Sequence, residues 1–331
     1  MNSFTYTRAV DVAGAVREKS EGGAAKFIAG GTNLIDLMKE NIERPARLVD
    51  ITRLDLGEIT PIEDCGLRLG ALVTNTDAAY SEVLERRYPL LSKAILAGAS
   101  PQLRNMATVG GNLMQRTRCC YFYDRATPCN KREPGSGCSA ISGFNRAHAI
   151  LGTSGHCIAV HPSDMCVGLA ALDAAVRVIG EGGERVVPFS DFHRLPGDEP
   201  HRDTNLRSDE IITSVDLPGK GFAEHYAYLK IRDRASYAFA LVSVAAALEM
   251  DGETIGEARI ALGGVAHKPW RDRNAEGLLP GLAASRENFQ RAAEAILAGA
   301  RGFGHNTFKI ELAKRAIVRA LCLAAGVEEQ S

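Results

Sequence analysis

The chain has 331 residues, 45% hydrophobic and 24% charged, with a formal net charge of −1. That length buries a large core and fits two domains, or one large domain with an attachment. The near-zero charge lacks the basic excess that nucleic acid or an anionic membrane would select, and no apolar run approaches the ~20 residues that span a bilayer.

Met1 to Asp11 carries no apolar signal core behind a basic start, so the chain is expected to stay where it is made unless a partner carries it. Phe4 and Tyr6 alternate with polar residues as in a short strand, and Val10 to Lys19 has helical spacing. Ala25 to Ile28 is a brief apolar strand that runs into Ala29-Gly30-Gly31-Thr32-Asn33. Leu34, Ile35, Leu37 and Met38 then recur at helical intervals. Such a strand–glycine–helix turn bares backbone N–H groups at a helix N-terminus, where the dipole also favours an anion. Thr32 and Asn33 can cap the helix or bond a phosphate. The same pattern also suits a plain tight connection. It is not the dinucleotide fingerprint, because the third glycine and the later acidic partner are missing from their places.

Leu48 to Ile51 and Leu67 to Leu72 read as strands. Thr76-Asp77 is placed to cap a helix from Ala78 to about Arg86, and Pro89 to Ala99 forms another that Ser100-Pro101 ends. A second glycine pair, Gly110-Gly111, follows between Thr108 and Asn112. Two such turns, each with polar neighbours, look like two walls of one phosphate-bearing ligand's site.

The segment from Arg116 to Val160 holds Cys119, Cys120, Cys129, Cys138 and Cys157 out of 8 cysteines in all, and shows no helical or strand period. A loop this long inside a compact domain needs a reason. Without an export signal, a disulfide framework is disfavoured. The spacing Cys119-x9-Cys129-x8-Cys138-x18-Cys157 matches neither paired zinc cysteines nor a ferredoxin run. An all-thiolate set suits iron–sulfur, zinc or copper(I) and excludes magnesium and calcium, with unliganded thiols as the other possibility. Cys119 and Cys120 are adjacent, and adjacent side chains tend to point to different sides, so at most one of them is expected to serve as a ligand. Cys65, beside a predicted turn, and Cys322, in an apolar helix, read as plain small hydrophobes and Cys166 as core, and His148, His156 and His161 as hydrogen-bonding loop residues.

Asp164 to Leu172 is apolar and helix-like, and Ala174 to Ile179 pairs with Arg185 to Val187 in a hairpin. Pro196 to Ser208 is a polar surface loop. Strands follow at Ile211–Leu217, Tyr226–Ile231, Phe239–Leu248 and Ala258–Leu262, with Met250-Asp251-Gly252 turning between the last two. Helices at Ser285–Ala300 and Thr307–Leu323 finish the chain. Strands followed by helices mark an α+β unit separate from the N-terminal part.

Ala29-Gly30-Gly31-Thr32-Asn33-Leu34, Thr108-Val109-Gly110-Gly111-Asn112-Leu113 and His161-Pro162-Ser163-Asp164-Met165 together resemble the flavin-binding signatures of the FAD subunits of molybdenum hydroxylases, the xanthine dehydrogenase and carbon monoxide dehydrogenase group. The likeness covers almost the whole chain, including Leu262 to Trp270. Most of that family lacks the cysteine segment. With Arg116-Thr117-Arg118-Cys119, Tyr121-Phe122-Tyr123 and Cys129-Asn130-Lys131-Arg132, the segment is similar to that of the branch serving bacterial periplasmic aldehyde oxidoreductases. A related insertion occurs in the flavin subunit of 4-hydroxybenzoyl-CoA reductase.

The resemblance implies an α+β fold: a two-lobed FAD-binding domain of the vanillyl-alcohol-oxidase type over residues 1–215, with lobes about 1–57 and 58–215, then a smaller C-terminal domain over 216–331. It implies FAD held by Lys26, Phe27, Ile28, Ala29, Gly30, Gly31, Thr32, Asn33 and Leu34 from the first turn and by Thr108, Gly110, Gly111 and Asn112 from the second. Asp164 would sit near the flavin end, with Lys230 closing over it. By its local pattern alone, Lys230 is a solvated, ion-paired strand end. The resemblance further implies a [4Fe–4S] cluster on Cys119, Cys129, Cys138 and Cys157. The doubled Cys119-Cys120 departs from the single cysteine expected there, and Cys119 fits the register.

The implied role is electron transfer without a catalytic set of its own. A molybdenum-cofactor subunit would oxidise an aldehyde or heterocycle with water, a [2Fe–2S] subunit would pass the electrons on, and FAD here would deliver them to an external acceptor. A self-sufficient FAD oxidoreductase of the same fold and a zinc-binding, non-enzymatic scaffold are the rivals. The expected location is the periplasm, by co-export with a signal-bearing partner, and otherwise the cytoplasm.

Overall fold

The computed structural model describes residues 1–21 and 23–327; residue 22 and residues 328–331, the end of the expected C-terminal domain, lie outside the described residues. Three sheets organise the molecule. β1 (Thr5–Arg8), β2 (Ala25–Ile28) and β3 (Arg47–Asp50) pair in parallel in the order β1-β3-β2. Parallel neighbours require crossovers, and helices Val12–Glu21 and Leu34–Lys39 supply them.

The second sheet contains β4 (Ile59–Pro61), β5 (Leu67–Gly70), β6 (Ala175–Gly180), β7 (Gly183–Pro188) and β8 (Ile211–Leu217), antiparallel in the order β4-β5-β8-β6-β7. The expected hairpin is β6–β7, where Gly180 pairs with Gly183 across a two-residue turn. β8 is buried along its whole length, at the centre of the sheet. Between β5 and β6 the chain leaves the sheet to build the helices, the second glycine turn and the cysteine segment.

One helix start differs from expectation. The cap is Thr74, whose Oγ1 accepts from the Asp77 N–H, and the helix runs Asn75–Ala79 with a separate one at Glu82–Arg87. Thr76 cannot cap it, because its hydroxyl is engaged with Asn105 Oδ1 at 2.6 Å and its backbone is already helical. The next helix, Pro89–Ala97, stops at the extended Gly98, two residues before the expected end.

β9 (Tyr226–Ile231), β10 (Val242–Asp251), β11 (Thr254–Gly263) and β12 (Trp270–Arg271) form the antiparallel third sheet, in the order β12-β11-β10-β9. Val242, Val244, Ala246 and Leu248 share a core with helices Arg286–Ile296 and Phe308–Ala325. Ala245 and Ala247 face the other way, into the core of the second sheet beside helix Asp164–Ala171. Strand periodicity therefore bonds the C-terminal domain to the N-terminal one through small residues. β10 begins at Val242 rather than Phe239, since Phe239 is half exposed at the rim of a cavity. Ser285 caps its helix by accepting from the Asn288 N–H at 3.3 Å. No helix among the described residues is long and apolar enough to cross a membrane.

Candidate functional site

A cavity of about 1050 Å³ opens where the three sheets meet. That is the upper end of the range for small-molecule sites, roughly 300–1,000 Å³. Lys26 to Leu34 line one side, and Thr108, Gly110, Gly111 and Asn112 line another, so both glycine turns face one space. The turns also touch. A Cβ on Gly30 would fall 1.7 Å from the Met106 carbonyl oxygen, so only glycine allows this approach. Gly31 follows with φ +68, in the left-handed region.

The polar ends of the turns are only partly satisfied. Thr108 Oγ1 accepts from the Gly111 N–H at 3.1 Å, capping the short helix Val109–Leu113. Asn33 makes no cap; its Oδ1 accepts from the Arg116 N–H at 2.9 Å, and its buried Nδ2 has no partner. A buried donor without an acceptor on a cavity wall, between glycines that admit close backbone approach, fits a phosphate- and hydroxyl-rich ligand such as FAD. Apolar Ile28, Leu34, Ile51, Leu72 and Ile95 complete the walls.

Asp164 and Lys230 meet at another wall. Lys230 Nζ lies 2.8 Å from Asp164 Oδ2 and donates to Ala97 O at 3.0 Å, while Tyr228 Oη donates to Asp164 Oδ1 at 2.7 Å. The expected solvated strand end is therefore wrong for Lys230: its side chain is 5% exposed. Burial, and then the neighbouring Asp164 charge, push the Tyr228 phenol well above its ordinary range, so it stays a donor.

Beneath the cavity, ion pairs lead to the cysteine segment. Glu43 accepts from Lys26 at 3.0 Å and Arg116 at 2.7 Å. Arg116 also reaches Asp203 at 2.8 Å, and the buried Lys131 pairs with the same carboxylate. Burial alone would raise the Asp203 carboxyl, but Lys131 and Arg116 outweigh it and hold it well below the usual range. Arg116 thus ties Asn33 in the first turn to Lys131 in the cysteine loop.

That loop is less irregular than expected, with single helical turns at Cys120–Tyr123 and Ser139–Ser142 and a Cys129–Cys138 antiparallel bridge. Asn130 fixes the bridge by exchanging hydrogen bonds with Gly137: N to O at 2.6 Å, and Gly137 N to its Oδ1 at 2.8 Å. Cys119, Cys129, Cys138 and Cys157 all line one small pocket, with Phe122, Asn130, Lys131 and Ala140. Cys120 is exposed and outside it, so the register favours Cys119. Burial pushes the Cys119 thiol up to about 12 and the Cys157 thiol up to about 11, the cost a cation would offset.

Sequence reasoning missed several neighbours. His193 comes from a stretch with no motif, yet it joins His161 and Cys166 with donor atoms within 4.8 Å of one another. His193 Nε2 bonds Leu113 O at 2.9 Å, and His161 Nδ1 accepts from the Ser163 N–H at 3.4 Å, which makes them buried hydrogen-bonding histidines behind the second turn. Tyr228 and Asp203 also carried no local signal, and Arg116 was marked only as part of the motif that leads into Cys119. Ser163 did: it caps helix Asp164–Ala171 through the Cys166 N–H at 3.0 Å, and its hydroxyl meets Asn112 Oδ1 at 2.5 Å. His156 lines the cysteine pocket, its carbonyl accepts from Asn130 Nδ2 at 3.0 Å, and its ring turns toward the exposed Asp198.

Residues 2–220 match the FAD binding domain in molybdopterin dehydrogenase, and residues 226–324 match the CO dehydrogenase flavoprotein C-terminal domain. The chain is 50% identical over 325 residues to the aldehyde oxidoreductase FAD-binding subunit PaoB of Escherichia coli, covering 98% of this chain and 99% of that one. It is 27% identical to the carbon monoxide dehydrogenase medium chain of Afipia carboxidovorans, covering 96% of each. Among solved structures, carbon monoxide dehydrogenase from Hydrogenophaga pseudoflava superposes with a TM-score of 0.77 at 26% identity, covering 99% of both chains. The chain belongs to the FAD-binding subunits of the molybdenum hydroxylase family, and is an oxidoreductase subunit.

Proposed function

We propose that the chain is the FAD- and [4Fe–4S]-containing electron-transfer subunit of a heterotrimeric, molybdenum-dependent aldehyde oxidoreductase, receiving electrons from a [2Fe–2S] subunit and passing them to an external acceptor. The observation that carries the aldehyde assignment is the 50% identity with PaoB along 98% of the chain. Periplasmic location by co-export with a signal-bearing partner belongs to the same proposal.

FAD, when bound, supplies the exchange between two-electron and one-electron transfer. The protein's own contribution is binding and electrostatics. The glycine pairs Gly30-Gly31 and Gly110-Gly111 leave room for the pyrophosphate, while Asn33 Nδ2, Thr32 and Asn112 offer polar groups along it. Lys230, neutralised by Asp164 and fixed through Tyr228, holds a cation at the wall assigned to the flavin.

Cys119, Cys129, Cys138 and Cys157 line one pocket. An all-thiolate set suits an iron–sulfur cluster or zinc, and the iron–sulfur reading is carried by the similarity of the cysteine segment to that of the aldehyde oxidoreductase branch.

The test is anaerobic flavin reduction by an aldehyde. The complex assembled with its molybdenum and [2Fe–2S] subunits is expected to bleach its flavin, and this chain alone is not. Flavin reduction by the isolated chain would replace the proposal with a self-sufficient flavoprotein.

A further inference from the structure

A polar side chain outside the proposed ligand set reaches one of its sulfurs. His148 Nε2 lies 3.1 Å from Cys119 Sγ, and its buried Nδ1 has no partner. The imidazole is held by backbone bonds on both sides. The His148 N–H donates to Asn145 O at 2.9 Å, and the Ala149 N–H to Ile158 O at 2.8 Å. From the C-terminal domain, Lys309 Nζ donates to His148 O at 2.8 Å, and Asn306 Nδ2 to Ala149 O at 2.9 Å. Lys309 is wholly buried, and its second partner is another carbonyl, Gly264 O at 2.5 Å. Two buried polar side chains of a different domain are thus committed to the stretch that aims one histidine at one sulfur.

We propose that His148 donates its Nε2–H to the Cys119 sulfur of the cluster, positioned there by Asn306 and Lys309, and that this bond raises the cluster's reduction potential. The inference rests on the four-cysteine cluster proposed above. A metal-bound thiolate has no proton to give, so the contact requires the proton on Nε2 and leaves the lone pair on the unpartnered Nδ1. One-electron reduction adds one negative charge to the cluster and its ligands. A donor aimed at a ligand sulfur stabilises that reduced form more than the oxidised one, and the potential rises. His148 is a positioning residue that acts through the Cys119 sulfur.

The experiment is an EPR-monitored redox titration of the assembled complex with dithionite, alongside iron analysis, for wild type, H148L and H148Q. H148L is expected to keep its iron and shift to a more negative potential, lowering the ratio of reduced to oxidised cluster at a fixed poise by about tenfold, or about 59 mV for a one-electron couple. H148Q, which retains an N–H donor, is expected to recover most of the shift. Iron present with an unshifted H148L potential overturns the assignment and leaves the cluster standing. Wild type without iron beyond that of its [2Fe–2S] partner overturns the cluster and the inference with it. If H148L sheds its iron, H148Q decides: iron kept at the wild-type potential supports the donor, and iron lost in both overturns it.

Discussion

Lys230 Nζ sits 2.8 Å from Asp164 Oδ2, linking β9 of the C-terminal sheet to the first turn of helix Asp164–Ala171 across the cavity wall. The two side chains are only 5% and 6% exposed. Removing one member of such a pair strands the other charge out of water, which costs about 3–5 kcal/mol, whereas neutralising both costs much less. K230M is therefore expected to lose about that much in denaturant unfolding of the flavin-free chain, and the double variant D164N/K230M to regain part of it. A double variant as unstable as the sum of the singles would show no coupling across this wall.

The glycines of the first turn should rank by what a Cβ would meet. In G30A the added carbon would strike the Met106 carbonyl, backbone against backbone, and the two turns must separate. In G31A it meets mainly the flexible end of Ile35, and the penalty is the left-handed φ of +68, about 1–2 kcal/mol. G30A is expected to lose flavin on purification, and G31A to keep it at lower thermal stability. The reverse order in the flavin-to-protein ratio would contradict the contact between the turns.

Serine substitutions should separate the cysteines cleanly. C119S, C129S, C138S and C157S each remove a wall of the small pocket and are expected to cost the complex its additional iron. C120S and C65S alter exposed thiols and should leave iron unchanged. Iron loss in C120S with retention in C119S would move the first ligand by one residue.

Acid should weaken the fold in two stages. Burial holds His193 down at about 4 despite its bond to Leu113, and burial followed by the Lys131 charge holds His267 at about 4. Below roughly pH 6.5 the unfolded chain binds these protons and the folded chain does not, so stability falls as pH drops toward 4. Asp203 is depressed by Lys131 and Arg116, so its contribution is intact above about pH 4 and lost as pH falls further. The melting temperature of the flavin-free chain is expected to decline from about pH 6.5 downward and more steeply below about pH 4, with H193Q flattening the first stage. A melting temperature rising between pH 6.5 and 4 would contradict buried, neutral histidines.

Much of the scaffold was legible because its signals are local. The first strand–glycine–helix turn, the β6–β7 hairpin and the start of the helix at Ser285 each depend on residues within a few positions of one another. The Thr74 cap was misplaced because Thr74, Thr76 and Asp77 all have capping side chains, and the choice among them was made by Asn105, far along the chain. Long-range partners left no trace in the sequence. Arg116 finds Glu43 and Asp203, Lys230 finds Asp164, and His148 finds Cys119 only once three sheets are packed. Lys230 looked solvated because its neighbours Arg232, Asp233 and Arg234 are charged, whereas strand alternation turns Tyr228 and Lys230 together toward Asp164.

The most direct test of the account is the cofactor content of the anaerobically purified complex: FAD, iron and acid-labile sulfide per copy of this chain, with the absorption spectrum. One FAD and about four irons beyond those of the [2Fe–2S] subunit are the predicted result. Flavin without the additional iron would contradict the cluster, and a complex without flavin would contradict the assignment of the cavity itself.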